Sequence, residues 1–98
     1  MSESKPAYVI GHVTVKNEQR WAEYRSRVPA TLPEWGGELV LRGERRAVWD
    51  GTHLHTDTVV LRFASLDAAT RWHESAAYQA LIPLRREAAD VDLILFEG

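Results

Sequence analysis

The strongest constraint on this chain is the order in which strand-like and helix-like patterns alternate. Residues 7–15, 38–42, 58–63 and 93–96 have the apolar or β-branched composition of short strands. Apolar side chains at helical spacing fill the stretches between the first and second strands and between the third and fourth. The order is therefore βαββαβ. Two right-handed crossovers place both helices on one face of a four-stranded antiparallel sheet, which predicts an α+β protomer.

The first helix is predicted to begin after Asn17, because its side chain can accept a hydrogen bond from a free backbone N–H. Pro29 lies inside the apolar stripe and lacks an N–H group, so we expect a kink at residues 25–29. Gly36-Gly37 is expected to end the helix. The stripe consists of Trp21, Tyr24, Val28, Leu32 and Trp35.

The second helical stretch carries polar side chains on one edge. Ser65 is the expected N-cap, Ser75 marks a break that can cap a new helical turn, and Pro83 adds a second irregularity. Tyr78 and Arg85 lie seven residues apart, so they project from nearly the same side of the helix. This edge is suited to a small anionic ligand. The alternative is that both residues form the rim of an ordinary core, as we also expect Trp72 to be a core residue.

The connection between the second and third strands is predicted to be a hairpin. Gly43 is expected to mark a bulge, and the chain is expected to stay extended through Trp49. Asp50-Gly51 is a turn dipeptide that favours a tight reversal.

The predicted sheet is apolar on both faces, although two helices cover only one. Residues 93–96 read Leu-Ile-Leu-Phe, and residues 39–41 and 59–61 are similarly apolar. An exposed second face would alternate polar residues. Several hundred Å² of such surface stabilises an assembly at about 25 cal/mol per Å² when it leaves water. The pattern predicts a homodimer joined through the helix-free sheet face.

Length and composition limit the possible partners. Ninety-eight residues make one domain, expected at 7–98 after a flexible tail at 1–6. A net charge of −2 argues against nucleic acid as a partner. No apolar run approaches a membrane-spanning length, so we expect a cytoplasmic protein without a membrane contact.

Metal and cofactor sites are not predicted. The chain has no cysteine, and the His53 and His55 pair lacks a clear third ligand. No glycine-rich phosphate loop or nucleophile elbow is present. We therefore predict no metal and no bound cofactor.

Two polar residues interrupt apolar strands and need an explanation. His12 is either a catalytic base or ligand donor, or a hydrogen-bonded histidine of structural importance only. Arg42 either binds a carboxylate with its planar guanidinium or pairs with an acid such as Glu44 or Glu38.

A small pocket between helices and sheet follows from these residues. Tyr24, Arg42, Tyr78 and Arg85 are its predicted ligand-binding groups, and His12 is the candidate catalytic residue. Leaving such groups buried and unpaired costs roughly 1–3 kcal/mol each. Arginines and phenols supply hydrogen-bond donors, which suits a small carboxylate or an enolised carbonyl compound.

One family resembles this chain across nearly its whole length. The resemblance is carried by Trp72, Ser75, Tyr78-Gln79-Ala80-Leu81 and Pro83-Leu84-Arg85, with further matches at residues 7–10, 28–31, 36–37, 42–43, 63–65 and 92–98. These positions resemble the DUF1330 family of the dimeric α/β-barrel superfamily. The resemblance implies a ferredoxin-like protomer in a dimeric barrel. Arg62 departs from the acid that relatives more often carry there.

Function stays open between two classes. The resemblance to the superfamily implies a cofactor-independent enzyme, such as an oxygenase, isomerase or lyase, that uses a helix–sheet pocket. The alternative is a non-catalytic small-molecule binding module or a structural homodimer.

Overall fold

The computed structural model describes residues 5–98 and shows one sheet with its helices on one face. The α+β prediction and the βαββαβ order are confirmed. Residues 1–4 of the predicted tail lie outside the described residues, and the single-domain assignment of 7–98 stays a prediction. The elements are β1 Ala7–Val15, α1 Glu18–Arg27, β2 Glu38–Glu44, β3 Asp57–Phe63, α2 Leu66–Glu74, α3 Ala76–Gln79, α4 Ile82–Ala88 and β4 Ala89–Glu97.

The sheet is antiparallel, with strand order β2-β3-β1-β4. Alternate residues of β1 point to opposite faces, so Val9 and Val13 are buried beneath the helices. His12 points the other way and is opposite Thr58 of β3 and Asp92 of β4. The register therefore fixes which polar residues lie on the helix-free face.

Helix α1 ends earlier than predicted. Its N-cap is as expected, since the backbone N–H of Arg20 donates to Asn17 Oδ1 at 3.1 Å. The expected kink at Pro29 is wrong, because the α-helix stops at Arg27 and two 3₁₀ turns follow at Val28–Thr31 and Pro33–Trp35. Proline lacks the N–H that an α-helical bond needs there. Gly36, with φ of 69°, ends the second 3₁₀ turn.

The second helical stretch is divided into α2, α3 and α4 at the predicted positions. Ser65 accepts from the N–H of Ala68 at 3.1 Å, and Ser75 accepts from the N–H of Tyr78 at 3.3 Å. Ser75 is extended, with ψ of 147°, so the helix must break there. Pro83 lies in the first turn of α4, where a missing N–H costs no helical hydrogen bond.

The connection between β2 and β3 differs from the prediction. Residues 45–56 form no strand, although Gly51 has the left-handed φ of 79° expected of a turn. Strands β2 and β3 are antiparallel neighbours, as a hairpin requires, but a long irregular loop joins them, with the N–H of Arg45 donating to the carbonyl of Thr56 at 2.6 Å. The N–H of Thr56 in turn donates to the carbonyl of Val13 at 3.1 Å and extends the pairing of β1 with β3. The sheet irregularity lies between Leu39 and Leu41 rather than at Gly43.

The core lies between the sheet and the helices. Trp72 is 1% exposed, and its indole N–H donates to Thr31 Oγ1 at 2.9 Å, which confirms it as a core residue. Gly37 lies so close to Phe63 that a Cβ would approach the Phe63 ring to 2.7 Å. In residues 5–98, no helix is long and apolar enough to cross a membrane.

Candidate functional site

A cavity of about 350 Å³ lies between α1 with its 3₁₀ continuation and the sheet. It exists where the chain leaves the α-helical path after Arg27, so that Val28, Pro29 and Leu32 form one wall. The floor and remaining walls are mostly apolar and come from Leu39, Val59, Leu61, Leu93 and Trp72.

Three polar side chains form a hydrogen-bonded chain at this cavity. The hydroxyls of Tyr24 and Tyr78 lie 2.8 Å apart, and Arg85 Nη1 donates to the Tyr78 hydroxyl at 2.8 Å. Tyr24 and Tyr78 line the cavity, whereas Arg85 lies behind Tyr78. Tyr78 is fully buried. Tyr78 and Arg85 are in contact, as their seven-residue spacing predicted, although a turn at residues 80–81 divides the predicted helix so that Tyr78 lies in α3 and Arg85 in α4. The fold adds Tyr24 to this pair.

Burial decides the protonation of the cavity phenol. The pKa of Tyr24 lies far above its ordinary value, first because burial disfavours the phenolate and second because Tyr78 is close. Arg85 opposes this rise. Tyr24 is therefore a neutral phenol at neutral pH, able to donate its proton in a hydrogen bond.

Arg85 brings a positive charge to these hydrogen-bonded side chains. In residues 5–98 no carboxylate lies within ion-pair distance of Arg85, and its Nε is buried without a hydrogen-bond partner. Its charge therefore acts on the Tyr78 oxygen and, through it, on Tyr24.

Arg42 lies at the mouth of the cavity beside Arg25. Its pKa is lowered, first by partial loss of solvent and second by the positive charge of Arg25. The ion pairs considered for Arg42 are absent from residues 5–98. Glu44 Oε2 instead lies 3.6 Å from Arg46, and Glu38 Oε1 lies 3.3 Å from Arg62.

Arg25 was missed in the sequence, although a signal was available. It follows Trp21 by four residues, a spacing that places both on one helix face. The helix was predicted from its apolar stripe, which includes Trp21 but not the cation next to Tyr24 in the sequence.

His12 lies on the opposite face of the sheet from the four predicted ligand-binding residues. Its Nδ1 is 3.2 Å from Thr58 Oγ1, which fits the hydrogen-bonded structural alternative. The sheet itself separates His12 from the cavity. The structure thus brings Tyr24, Tyr78 and Arg85 together, places Arg42 at the same cavity, and leaves His12 outside it.

Three of the four histidines, His12, His53 and His55, gather on the helix-free face, which the sequence did not indicate. The His12 ring centroid is 4.9 Å from that of His53 and 6.5 Å from that of His55. Both nitrogens of His55 are engaged, by Asp92 at 2.8 Å and by Thr14 at 2.9 Å. The described part of the chain has no group of three or more His, Cys, Asp or Glu side chains arranged to hold a metal ion.

The fold and the cavity define a class: a small ferredoxin-like α+β protein with a mostly apolar helix–sheet pocket that holds a few polar groups. The chain belongs to the DUF1330 family, a domain family of unknown function, whose pattern it matches over residues 6–98. A search among curated proteins found no match.

Solved structures share this fold at low sequence identity. A protein of unknown function from Rhodopseudomonas palustris is 16% identical, with a TM-score of 0.81 over 98% of this chain and 84% of its own. SnoaB, a cofactor-independent oxygenase from Streptomyces nogalater, is 14% identical, with a TM-score of 0.68 over 97% of this chain and 94% of its own. A dimeric ferredoxin-like protein of unknown function from Bacteroides fragilis is 9% identical, with a TM-score of 0.66 over 99% of this chain and all of its own.

Proposed function

We propose that the helix–sheet cavity binds a small metabolite that combines an apolar body with an anionic or carbonyl oxygen, without a tightly bound cofactor. The observation that carries this proposal is the chain Arg85–Tyr78–Tyr24, which ends in an otherwise apolar cavity. A volume of about 350 Å³ suits a ligand of one or two rings or a short chain.

The direction of the hydrogen bonds explains why an oxygen is expected. Arg85 donates to the Tyr78 oxygen, so the Tyr78 proton is free to point at Tyr24. The Tyr24 proton is then available to a ligand oxygen in the cavity. The Arg85 cation, which begins this series of hydrogen bonds, makes each phenol a better donor, because charge-assisted hydrogen bonds are stronger.

Two functional classes fit this arrangement. An enzyme of the cofactor-independent kind would use Tyr24 and Tyr78 to stabilise negative charge on an enolised substrate. SnoaB supports this class through fold-level analogy alone. A non-catalytic binding module is favoured by a specific observation: among residues 5–98, the side chains that line this cavity include no carboxylate or imidazole that could act as a general base.

The assembly we propose is a homodimer joined through the helix-free sheet face. Leu41 and Phe96 on that face are about half exposed, and Ile94 is 40% exposed. The Bacteroides fragilis protein, which has the same fold, is described as dimeric. A stable dimer of this kind is expected to bury about 1,200 Å² or more in total.

The binding proposal is tested by thermal-shift screening followed by substitution. A library of small carboxylates and carbonyl compounds is screened against the protein, and the affinity of each hit is measured by calorimetry. Arg85→Gln and Tyr78→Phe are expected to stay folded and dimeric but to weaken ligand binding. Unchanged affinity together with a much lower melting temperature would show that both residues are structural, and the pocket proposal would be wrong.

A further inference from the structure

The cavity opens into a second, polar groove of about 420 Å³. Trp21, Arg25, Arg42 and Val59 line both spaces, so the two arginines stand where the apolar cavity meets the polar groove. A ligand that fills the cavity and reaches toward solvent passes both guanidinium groups.

Neither arginine has a carboxylate partner within ion-pair distance in residues 5–98, whereas neighbouring arginines do. Arg27 on the same helix lies 3.0 Å from Glu23, and Arg46 in the same groove lies 3.6 Å from Glu44. Arg25 and Arg42 therefore keep their charges unneutralised while they are close enough to affect one another. An anion between two such groups relieves their repulsion and accepts hydrogen bonds from both.

The surroundings favour an anion with a single charge. Of the two acids that line the polar groove, Glu44 lies 3.6 Å from Arg46, whereas Asp57 has no ion-pair partner in residues 5–98, so a second negative group that extended toward Asp57 would meet a like charge. On the other side of the arginines the cavity is apolar, with Leu32, Leu61 and Leu93 in its walls. The apolar part of the ligand belongs there.

We infer that Arg25 and Arg42 form an anion subsite at the mouth of the cavity, and that the ligand is an amphipathic monocarboxylate whose apolar body enters the cavity and presents a second, uncharged oxygen to Tyr24. This inference rests on the proposed function, because it assigns one end of the ligand in the same cavity. It adds Arg25 to the site and names the ligand class.

The test compares 6-hydroxy-2-naphthoate with 6-hydroxy-2-naphthamide, called naphthoate and naphthamide below, by calorimetry; the two probes have nearly equal shape, carry the same hydroxyl for Tyr24 and differ in charge. The wild-type protein is expected to bind naphthoate about tenfold more tightly, which corresponds to about 1.4 kcal/mol, because the carboxylate is charged and accepts hydrogen bonds from both arginines. Arg25→Gln and Arg42→Gln are each expected to lower naphthoate affinity about five- to tenfold and to leave naphthamide affinity unchanged. High salt is expected to reduce the naphthoate preference.

The control is Arg27→Gln, which removes the same charge two residues further along α1. Arg27 lines neither the cavity nor the groove, so this variant is expected to leave the affinities for both probes unchanged. Equal binding of the two probes, with no effect of Arg25→Gln or Arg42→Gln, would overturn the anion subsite. The cavity proposal would survive that result if Tyr78→Phe weakened the binding of both probes. Binding of neither probe would overturn both proposals.

Discussion

The phenol oxygens of Tyr24 and Tyr78 lie 2.8 Å apart in the protein interior, although the two residues are 54 positions apart in the chain. Arg85 reaches the Tyr78 oxygen from the other side, also at 2.8 Å. This contact joins α1 to α3 and α4 through side chains. It also places a charge-polarised donor at the wall of an apolar cavity, where the proposed ligand would bind.

Replacing Tyr78 with phenylalanine is expected to lower the free energy of unfolding by roughly 1–3 kcal/mol, because it leaves the Tyr24 phenol and the Arg85 guanidinium without their buried partner. Urea unfolding followed by circular dichroism measures the change. In a double-mutant cycle, Tyr24→Phe combined with Tyr78→Phe should cost less than the sum of the single changes. Strict additivity would show that the two phenols do not interact.

Alkaline pH is expected to destabilise the protein through Tyr24. Burial raises the pKa of this phenol above its ordinary value of 10.0, so the folded state keeps it neutral while the unfolded state ionises. The stability it contributes is complete below pH 10 and falls as pH rises beyond that, by up to about 1.4 kcal/mol per pH unit. Urea midpoints measured between about pH 8 and 11 should fall less steeply for Tyr24→Phe. Parallel curves for the two proteins would contradict the assignment.

Local signals predicted much of this structure. The helix caps at Asn17, Ser65 and Ser75 depend on a hydroxyl or amide that reaches a backbone N–H three residues away, so they are encoded over four positions. The edge shared by Tyr78 and Arg85 follows from helical geometry in the same way. These features were predictable because they depend only on residues that are close together in the sequence.

The features that were missed depend on distant parts of the chain. Alternation in β1 shows that His12 and Val13 face opposite ways, but which face the helices cover is settled only by the assembled sheet. The path of residues 45–56 depends on the backbone of Val13, which accepts a hydrogen bond from Thr56. The pairing of Tyr24 with Tyr78 likewise needs two helices to pack before it exists. The sequence therefore indicates the candidate residues one by one, but their division between the two faces of the sheet depends on the assembled fold.

Metal removal is expected to leave the fold unchanged, and this stays a prediction. The three clustered histidines are the obvious place to test it, yet His55 has both ring nitrogens engaged by Asp92 and Thr14. The melting temperature of freshly purified protein should be the same with and without a chelator. A clear fall on adding the chelator, restored by one divalent cation, would show a metal site.

Disruption of the helix-free face is expected to separate the proposed dimer. Phe96→Asp places a charge on that face beside Ile94 and Tyr8, where a partner sheet would have to bury it unpaired, which costs several kcal/mol. Light scattering at micromolar concentration should show a dimer for the wild type and a monomer for this variant. The matched control is Leu66→Asp, since Leu66 is also a partly exposed apolar residue but lies at the start of α2. It should remain dimeric, because α2 covers the opposite side of the sheet. A monomeric wild type would show that the proposed dimer does not form. Loss of the dimer in the Leu66 variant alone would place the interface on the helix side of the sheet.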